Sequence, residues 1–413
     1  MSESVAMPLL AGKTVLETYA HCQEVLTKPK TFEVGAFEPY SEPVWGGVMA
    51  ISNDGTHLPR RRLLASLLSR SAMERYDGEF LSRAIEELIA AARASEDPVV
   101  DLIQLVRLML VRVIATIVGI DGVREDRARA LKLMACIDGF ISGTQVRYST
   151  RQPDEVIAEA VAAVEVYREE FYEPSRRRRQ ELAQQMAAGR IGEDEVPDDV
   201  IMRQQGPRAP EIWNEKTALR DSLTVFAGGL QTSAVAVVQS IDDYYAWAGA
   251  GPEAVADPDM VRGVVNESLR LRPPVPYILR RASEDVTLRD GHEITAGEEL
   301  ALDITAANRD VDVFGADANE YRPERFRELP PKYPQYGLAF GAGSHVCYGK
   351  PLATVGGTDS RETHVPRVVT KLVGALLGAG IRPAREQEPT LEPSYRNIFR
   401  TFPVEFPAAG EER

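Results

Sequence analysis

The chain has 413 residues, 44% of them apolar and 27% charged, enough to bury a large core in one domain or two. With 48 basic against 62 acidic residues the net charge is −14, which excludes a general nucleic-acid binder, because phosphate contacts need clustered Lys and Arg. Its three cysteines, Cys22, Cys136 and Cys347, lie far apart and are odd in number, which excludes a disulfide framework or a paired-cysteine metal site and points to a reducing cytoplasm.

Thr14 to Thr18 reads as a short strand, followed by a helix around Cys22 to Leu26. Gly35 to Gly55 mixes breakers with Phe37, Tyr40, Trp45 and Met49; apolar side chains in such a segment predict a loop that covers something. Thr56 to about Ile120 is helical, in two or three helices parted near Asp97-Pro98, and Val123 to Ile141 and Asp154 to Ala188 continue as helices. The most apolar stretch, Val99 to Ile120, carries Asp101, Gln104, Arg107 and Arg112, too polar for a membrane span, and no apolar signal core opens the chain. Arg176-Arg177-Arg178-Arg179, flanked by Glu173 and Glu181, reads as a solvated helix face. Gly189 to Pro210 is polar and is expected to be mobile.

Leu219 to Ala248 predicts a long apolar helix broken internally at Gly228-Gly229, and Pro258 to Leu271 a second helix stopped by Pro273-Pro274. Residues 275–305 alternate in strand fashion, with turns at Arg289-Asp290-Gly291 and Ala296-Gly297. Residues 306–346 are loop-rich, helix returns near Pro366 to Leu377, and alternation resumes around Thr401 to Phe406. The sum is a single domain over residues 1–413, mainly α with a small β-rich part at about 12–20, 275–305 and 390–406. The long irregular stretch before Cys347 is of a length that usually carries function.

Cys347 lies in Phe340-Gly-Ala-Gly-Ser-His-Val-Cys-Tyr-Gly349. Gly341 and Gly343 allow backbone angles that turn amides toward a sulfur, Phe340 can shield it from water, and Gly349 permits close approach to a flat ligand. A helix starting just after the cysteine would, with those amides, stabilise a thiolate. Alone, Cys347 could be a buried structural cysteine in a Gly-rich turn. The full pattern Phe-Gly-x-Gly-x-His-x-Cys-x-Gly resembles the haem-binding loop of cytochrome P450 at every defining position, with the soluble bacterial class the nearest match.

That resemblance, which spans the chain from Thr14 onward, implies the cytochrome P450 fold, haem b as cofactor and Cys347 as axial ligand to its iron. Glu267 and Arg270, i and i+3 on one helix face and 80 residues ahead of the cysteine, resemble the family's Glu-x-x-Arg motif, a structural buttress of the haem loop. The haem propionates need cations. The resemblance implies His57 and Arg61, with Arg280 and His345; Arg281 leaves the register open by one residue. Ala306-Ala-Asn-Arg-Asp310 and Tyr321-Arg-Pro-Glu-Arg-Phe326 belong to the same likeness.

Three departures accompany it. Where the family carries an acid and an alcohol over the iron, this chain has Gly228-Gly229-Leu230-Gln231-Thr232. Thr232 keeps the alcohol, but the Gln231 amide cannot exchange a proton near neutral pH and is no general acid. Residues 354–366 interrupt the helix expected after Cys347, and the chain opens at the first strand without the usual leading helix. The resemblance implies a cytoplasmic monooxygenase, with no nucleic-acid or membrane partner. It would use O2, and a ferredoxin-type protein would supply electrons for hydroxylation or oxidative dealkylation of a small organic molecule. Candidate pocket walls are Phe37, Trp45, Met49, Phe226, Leu230, Val275, Tyr277, Ile398 and Phe399. Gln231 motivates a rival, a peroxygenase or an oxidative-coupling or biosynthetic enzyme; a further rival is a non-catalytic haem-binding sensor or carrier.

Overall fold

Alternation at 277–282 and 299–303 builds the middle of a four-stranded sheet. Tyr277–Ala282 pairs antiparallel with Glu299–Asp303, Phe32–Val34 adds antiparallel on one side, and Thr14–Leu16 adds parallel on the other. The computed structural model describes residues 10–34, 42–146, 149, 151–247, 251–355, 367–384, 386–392 and 398–407. Phe37 and residues 356–366 of the insertion lie outside them. The described chain forms two compact units, one of residues 1–36, 73–107 and 232–413, the other of 37–72 and 108–231.

In the first unit Thr18 caps the helix Tyr19–Thr27, accepting from the His21 amide at 3.2 Å, which stops the strand two residues short of the predicted end. The helix buries Tyr19, Cys22, Val25 and Leu26 against Phe32, Leu300, Leu302 and Ile304 of the sheet and its edge. Both anticipated turns form on glycines with left-handed backbone, Gly291 at φ 94° and Gly297 at φ 83°. The helix Pro258–Leu271 starts at the Asp257 cap and ends before Pro273-Pro274, which could donate no further backbone hydrogen bond. A second sheet of Val99–Asp101, Pro403–Glu405 and Arg382–Pro383 joins distant parts of the chain, and its Val99–Asp101 strand is too short to have been legible among helical signals.

In the second unit the helices Arg127–Thr144 and Pro153–Tyr167 touch through small residues. A Cβ at Gly139 would come within 2.5 Å of Ala163 Cβ, and one at Gly143 within 2.4 Å of Ala160 Cβ. The charged helix continues through a π turn at Arg168–Tyr172 into Glu173–Ala187, where Pro174 removes one backbone donor. Part of the predicted cover at 35–55 is helical: Glu42–Trp45 and Met49–Ile51 are single turns. The polar 189–210 segment contains a short helix, Val200–Arg203, whose Val200 and Ile201 are buried.

Two expectations are corrected. The helix Glu215–Ala246 runs unbroken through Gly228-Gly229; two glycines cost about 1 kcal/mol each relative to Ala, a penalty the buried packing of Phe226, Leu230 and Ala234 on adjoining turns offsets. It is long and apolar enough to cross a membrane, but 56% of its most apolar stretch is buried inside the protein. The arginine run is not wholly solvated either: Arg179 is buried and pairs with Asp199 (2.9 Å) and Asp121.

Asp199 caps Val200–Arg203, accepting from the Met202 amide at 2.7 Å. Burial, partly offset by Arg179, pushes its carboxyl up to about 6. An unfolded Asp titrates near 3.9, so the folded state takes up this proton first and loses stability as pH rises from about 4 to about 6. Asp199→Asn should therefore gain on wild type by about 2 kcal/mol between pH 4 and pH 7.5, read from urea midpoints, whatever the offset at pH 4. A difference independent of pH would show that Asp199 does not titrate in that window.

Candidate functional site

The Phe340–Gly349 loop folds around its glycines. Gly341 (φ 67°) and Gly343 (φ 70°) take left-handed backbone, and the Cys347 amide donates to the Phe340 carbonyl at 2.8 Å, closing the loop. Gly343 cannot be replaced, since a Cβ there would meet the Leu26 carbonyl oxygen at 2.5 Å. Gly349 precedes the short helix Lys350–Ala353, and a Cβ on it would point toward Cys347 Sγ at 3.9 Å. Cys347 itself is exposed, whereas Cys22 and Cys136 are buried and burial pushes their thiols up, to about 12 and about 11. Phe340 packs edge-on against Tyr336 at 4.8 Å, and burial and the nearby Cys347 push the Tyr336 hydroxyl up to about 12. An exposed thiol on a glycine-built turn beside a helix start is suited to a metal-bound thiolate.

Behind that loop lies a buried ion network. Arg270, fully buried, donates twice to Glu267 (2.9 and 2.7 Å) and to the Asn308 and Ala318 carbonyls at 2.7 Å each. Arg325 adds a donor to Glu267 at 3.0 Å and pairs with Asp317 at 2.7 Å. Asn308 returns a bond to the Arg270 carbonyl and accepts from the Leu338 amide at 2.7 Å, carrying the network to within nine residues of Cys347. Beside Glu267 on the same helix, Asn266 donates to Gln335 (2.7 Å) and accepts from Thr354 (2.9 Å), residues that flank the loop in sequence. The sequence marked roles for Glu267 and Arg270 but not for Asp317; the Ala306–Asp310 and Tyr321–Phe326 segments, which hold Asn308 and Arg325, were visible as patterns without a role.

Strand alternation separates the two adjacent arginines. Arg281 faces out and pairs with Glu299 at 2.8 Å. Arg280 turns in and is buried, and burial pushes its guanidinium down to about 10. It donates to the Leu279 carbonyl at 2.8 Å, and among the described residues no carboxylate pairs with it. A buried cation without an anion is costly, and a carboxylate-bearing ligand would answer it. This cation and the exposed thiol of Cys347, in one unit, fit the donor set that haem b requires. His345 ends the Gly343–His345 turn, half-buried. In the second unit His57 and Arg61 lie one turn apart on the helix His57–Leu64; His57 is buried, with Nδ1 2.9 Å from the Met49 carbonyl, and Arg61 is half-buried.

Gln231 and Thr232 are half-buried mid-way along Glu215–Ala246. Among the wall candidates of the first unit, Ile398 and Phe399 are buried, Phe399 edge-on to Phe402 at 4.9 Å, while Tyr277 is half-buried and Val275 exposed. In the second unit Trp45 stacks on Phe140 at 5.8 Å, Met49 is buried, and the fully buried Phe226 and Leu230 lie in the core, Phe226 edge-on to Tyr167.

Removing the Glu267 charge would leave the buried Arg270 guanidinium without a carboxylate and Arg325 with Asp317 alone. Glu267→Gln is therefore expected to lower unfolding free energy by about 3 to 5 kcal/mol, against under about 1 kcal/mol for Glu87→Gln at the exposed Arg83 pair. Comparable losses in chemical denaturation would overturn the central place given to the network.

Residues 253–356, which span Glu267, Arg280 and Cys347, match the family model described as Cytochrome P450. Cytochrome P450 137 of Mycobacterium tuberculosis is 26% identical over 368 residues, 84% of this chain and 72% of that protein. Among solved structures, P450BioI in complex with an acyl carrier protein ligated to hexadec-9Z-enoic acid superposes with TM-score 0.70 at 21% identity, over 95% of this chain and 92% of that one. CYP109E1 of Bacillus megaterium in complex with testosterone gives 0.71 at 18% identity, over 96% and 93%. A glycine-built cysteine loop, a buried ion network and a backbone shared along nearly the whole length lead to one conclusion: the chain belongs to the cytochrome P450 superfamily, oxidoreductases of the monooxygenase type that bind haem b.

Proposed function

We propose that Cys347 is the axial ligand of the haem iron and that Arg280, His345, His57 and Arg61 neutralise its propionates. The observation that carries this reading is Arg280, a buried cation with no carboxylate among the described residues, 67 residues ahead of an exposed cysteine on a glycine-built loop. Haem b, when bound, supplies the iron at which dioxygen is activated and the oxidising power for attack on a C–H bond.

The protein's own residues do the rest. Backbone amides near Cys347 and the start of Lys350–Ala353 stabilise negative charge on Sγ. Phe340, edge-on to Tyr336, would help shield the sulfur once haem is bound. Thr232 Oγ1 can pass a proton onward because a hydroxyl both donates and accepts, whereas Gln231 can hold a water but not release a proton to it. The reaction that fits is hydroxylation or oxidative dealkylation of a small organic substrate by a soluble, cytoplasmic enzyme. Trp45, Met49, Phe226, Leu230, Val275, Tyr277, Ile398 and Phe399 are candidates to line its pocket, and a separate ferredoxin-type donor would supply electrons. Gln231 favours a second reading, in which oxygen arrives as peroxide, already carrying the two electrons and two protons that dioxygen must otherwise be given.

Reduced, haem-loaded protein under carbon monoxide should give the red-shifted thiolate spectrum, and Cys347→Ala should abolish it. Persistence of that spectrum in the variant would remove Cys347 from the role. Single turnovers with oxygen plus a ferredoxin, against peroxide alone, separate the two readings. If proton delivery limits the first, Gln231→Glu should raise the yield of product per electron severalfold; an unchanged yield would mean that Gln231 is no bottleneck.

A further inference from the structure

Between Gln335 and Thr354 the backbone has little regular structure beyond the Gly343–His345 turn and the short helix Lys350–Ala353. Such a stretch keeps one course only where its ends are held, because closing a free loop costs entropy. One side chain holds both ends. Asn266, buried on the helix Pro258–Leu271, donates through Nδ2 to Gln335 Oε1 at 2.7 Å and to the Val355 carbonyl at 3.0 Å. Its Oδ1 accepts from Thr354 Oγ1 at 2.9 Å, and Gln335 and Thr354 are themselves buried.

The orientation of this amide is dictated by its surroundings. A carbonyl only accepts, so the Asn266 atom facing Val355 must be the nitrogen. That leaves the oxygen for the Thr354 hydroxyl and turns the Gln335 oxygen toward Asn266. Neither a carboxylate nor an apolar side chain could serve both flanks. The next residue on the helix is Glu267, which takes Arg270, Arg325 and the Arg322 amide (3.1 Å). Two consecutive buried side chains thus divide the work, Glu267 on the stretch before the loop and Asn266 on the two flanks of the loop itself. Within the flanks, the Gly341 amide donates to the Leu338 carbonyl and the Cys347 amide to that of Phe340, each at 2.8 Å.

We infer that Asn266 is a positioning residue for Cys347: by joining the segments twelve residues before it and seven after it, the amide fixes where Sγ can sit. This rests on the proposed role of Cys347 as the axial ligand. All the residues involved belong to the first unit. Closure of the staple and retention of the sulfur by iron are then one coupled equilibrium, each strengthening the other by the same factor.

The test follows haem-loaded, reduced protein under carbon monoxide in urea too dilute to unfold it, where loss of the red-shifted band reports loss of the sulfur ligand. Thr354→Val should speed that loss about fivefold and Asn266→Ala about thirtyfold, the scales of one and of two buried hydrogen bonds. The double variant should be no faster than Asn266→Ala alone, and Thr354→Ser, which keeps the hydroxyl, should match wild type. Val404→Ala opens a cavity on the strand Pro403–Glu405, outside the staple, and should lower the unfolding midpoint without speeding loss of the band. Equal speeding by Val404→Ala, effects that multiply in the double variant, or an unchanged rate in Thr354→Val and Asn266→Ala would overturn the inference. Should Asn266→Ala not fold, Thr354→Val against Thr354→Ser decides. If wild type lacks the red-shifted band, the proposed function is what fails, and amide exchange then decides the positioning role. Exchange raised over 335–354 in Thr354→Val but not over 99–101 supports it; an equal rise over both, or none, overturns it.

Discussion

A guanidinium with no access to water must have its donors answered, and that requirement organises the first unit. Arg270 has five N–H groups and is fully buried; Glu267 and the carbonyls of Asn308, Ala318 and Glu320 meet them. Because those carbonyls come from a stretch with little regular structure, satisfying Arg270 is what gives the stretch a fixed course. Arg325 repeats the device on the same carboxylate. The desolvation cost of burying these charges is recovered only when the set is complete, which makes the arrangement all-or-none. The cysteine loop inherits its position from this arrangement through Asn308 and Leu338.

Buried charge is handled in two ways, and the contrast locates chemistry. Arg270, Arg325, Arg179 and Arg60 are each matched by a carboxylate within the protein. Arg280 is not, among the described residues, and burial disfavours its charged form. A buried cation of that kind is a place for an anion the protein does not itself provide. The proposed haem propionate is such an anion.

Much of this was legible in the chain. The loop from Phe340 to Gly349 could be read because its chemistry lies within ten consecutive residues, and glycine has few other reasons to recur there. The helix stop at Pro273-Pro274 and the turns at Gly291 and Gly297 follow from backbone stereochemistry that needs no context. The unbroken helix through Gly228-Gly229 was not legible, because local propensity opposes it and buried packing on adjoining turns overrides it. Arg179 looked like its three neighbours in the arginine run.

The sequence by itself determined the glycine-rich cysteine loop, the mainly helical class with its small β portions, and the Gln231 departure, because each is written in residue type and short spacing. Tertiary structure alone decided which charges pair: Arg325 with Glu267 across 58 residues, Asp221 with Arg60 across 161, and Arg280 rather than Arg281 turned inward. The reason is physical. A side chain's type is local, but its desolvation and its partner exist only once distant segments have been brought against it.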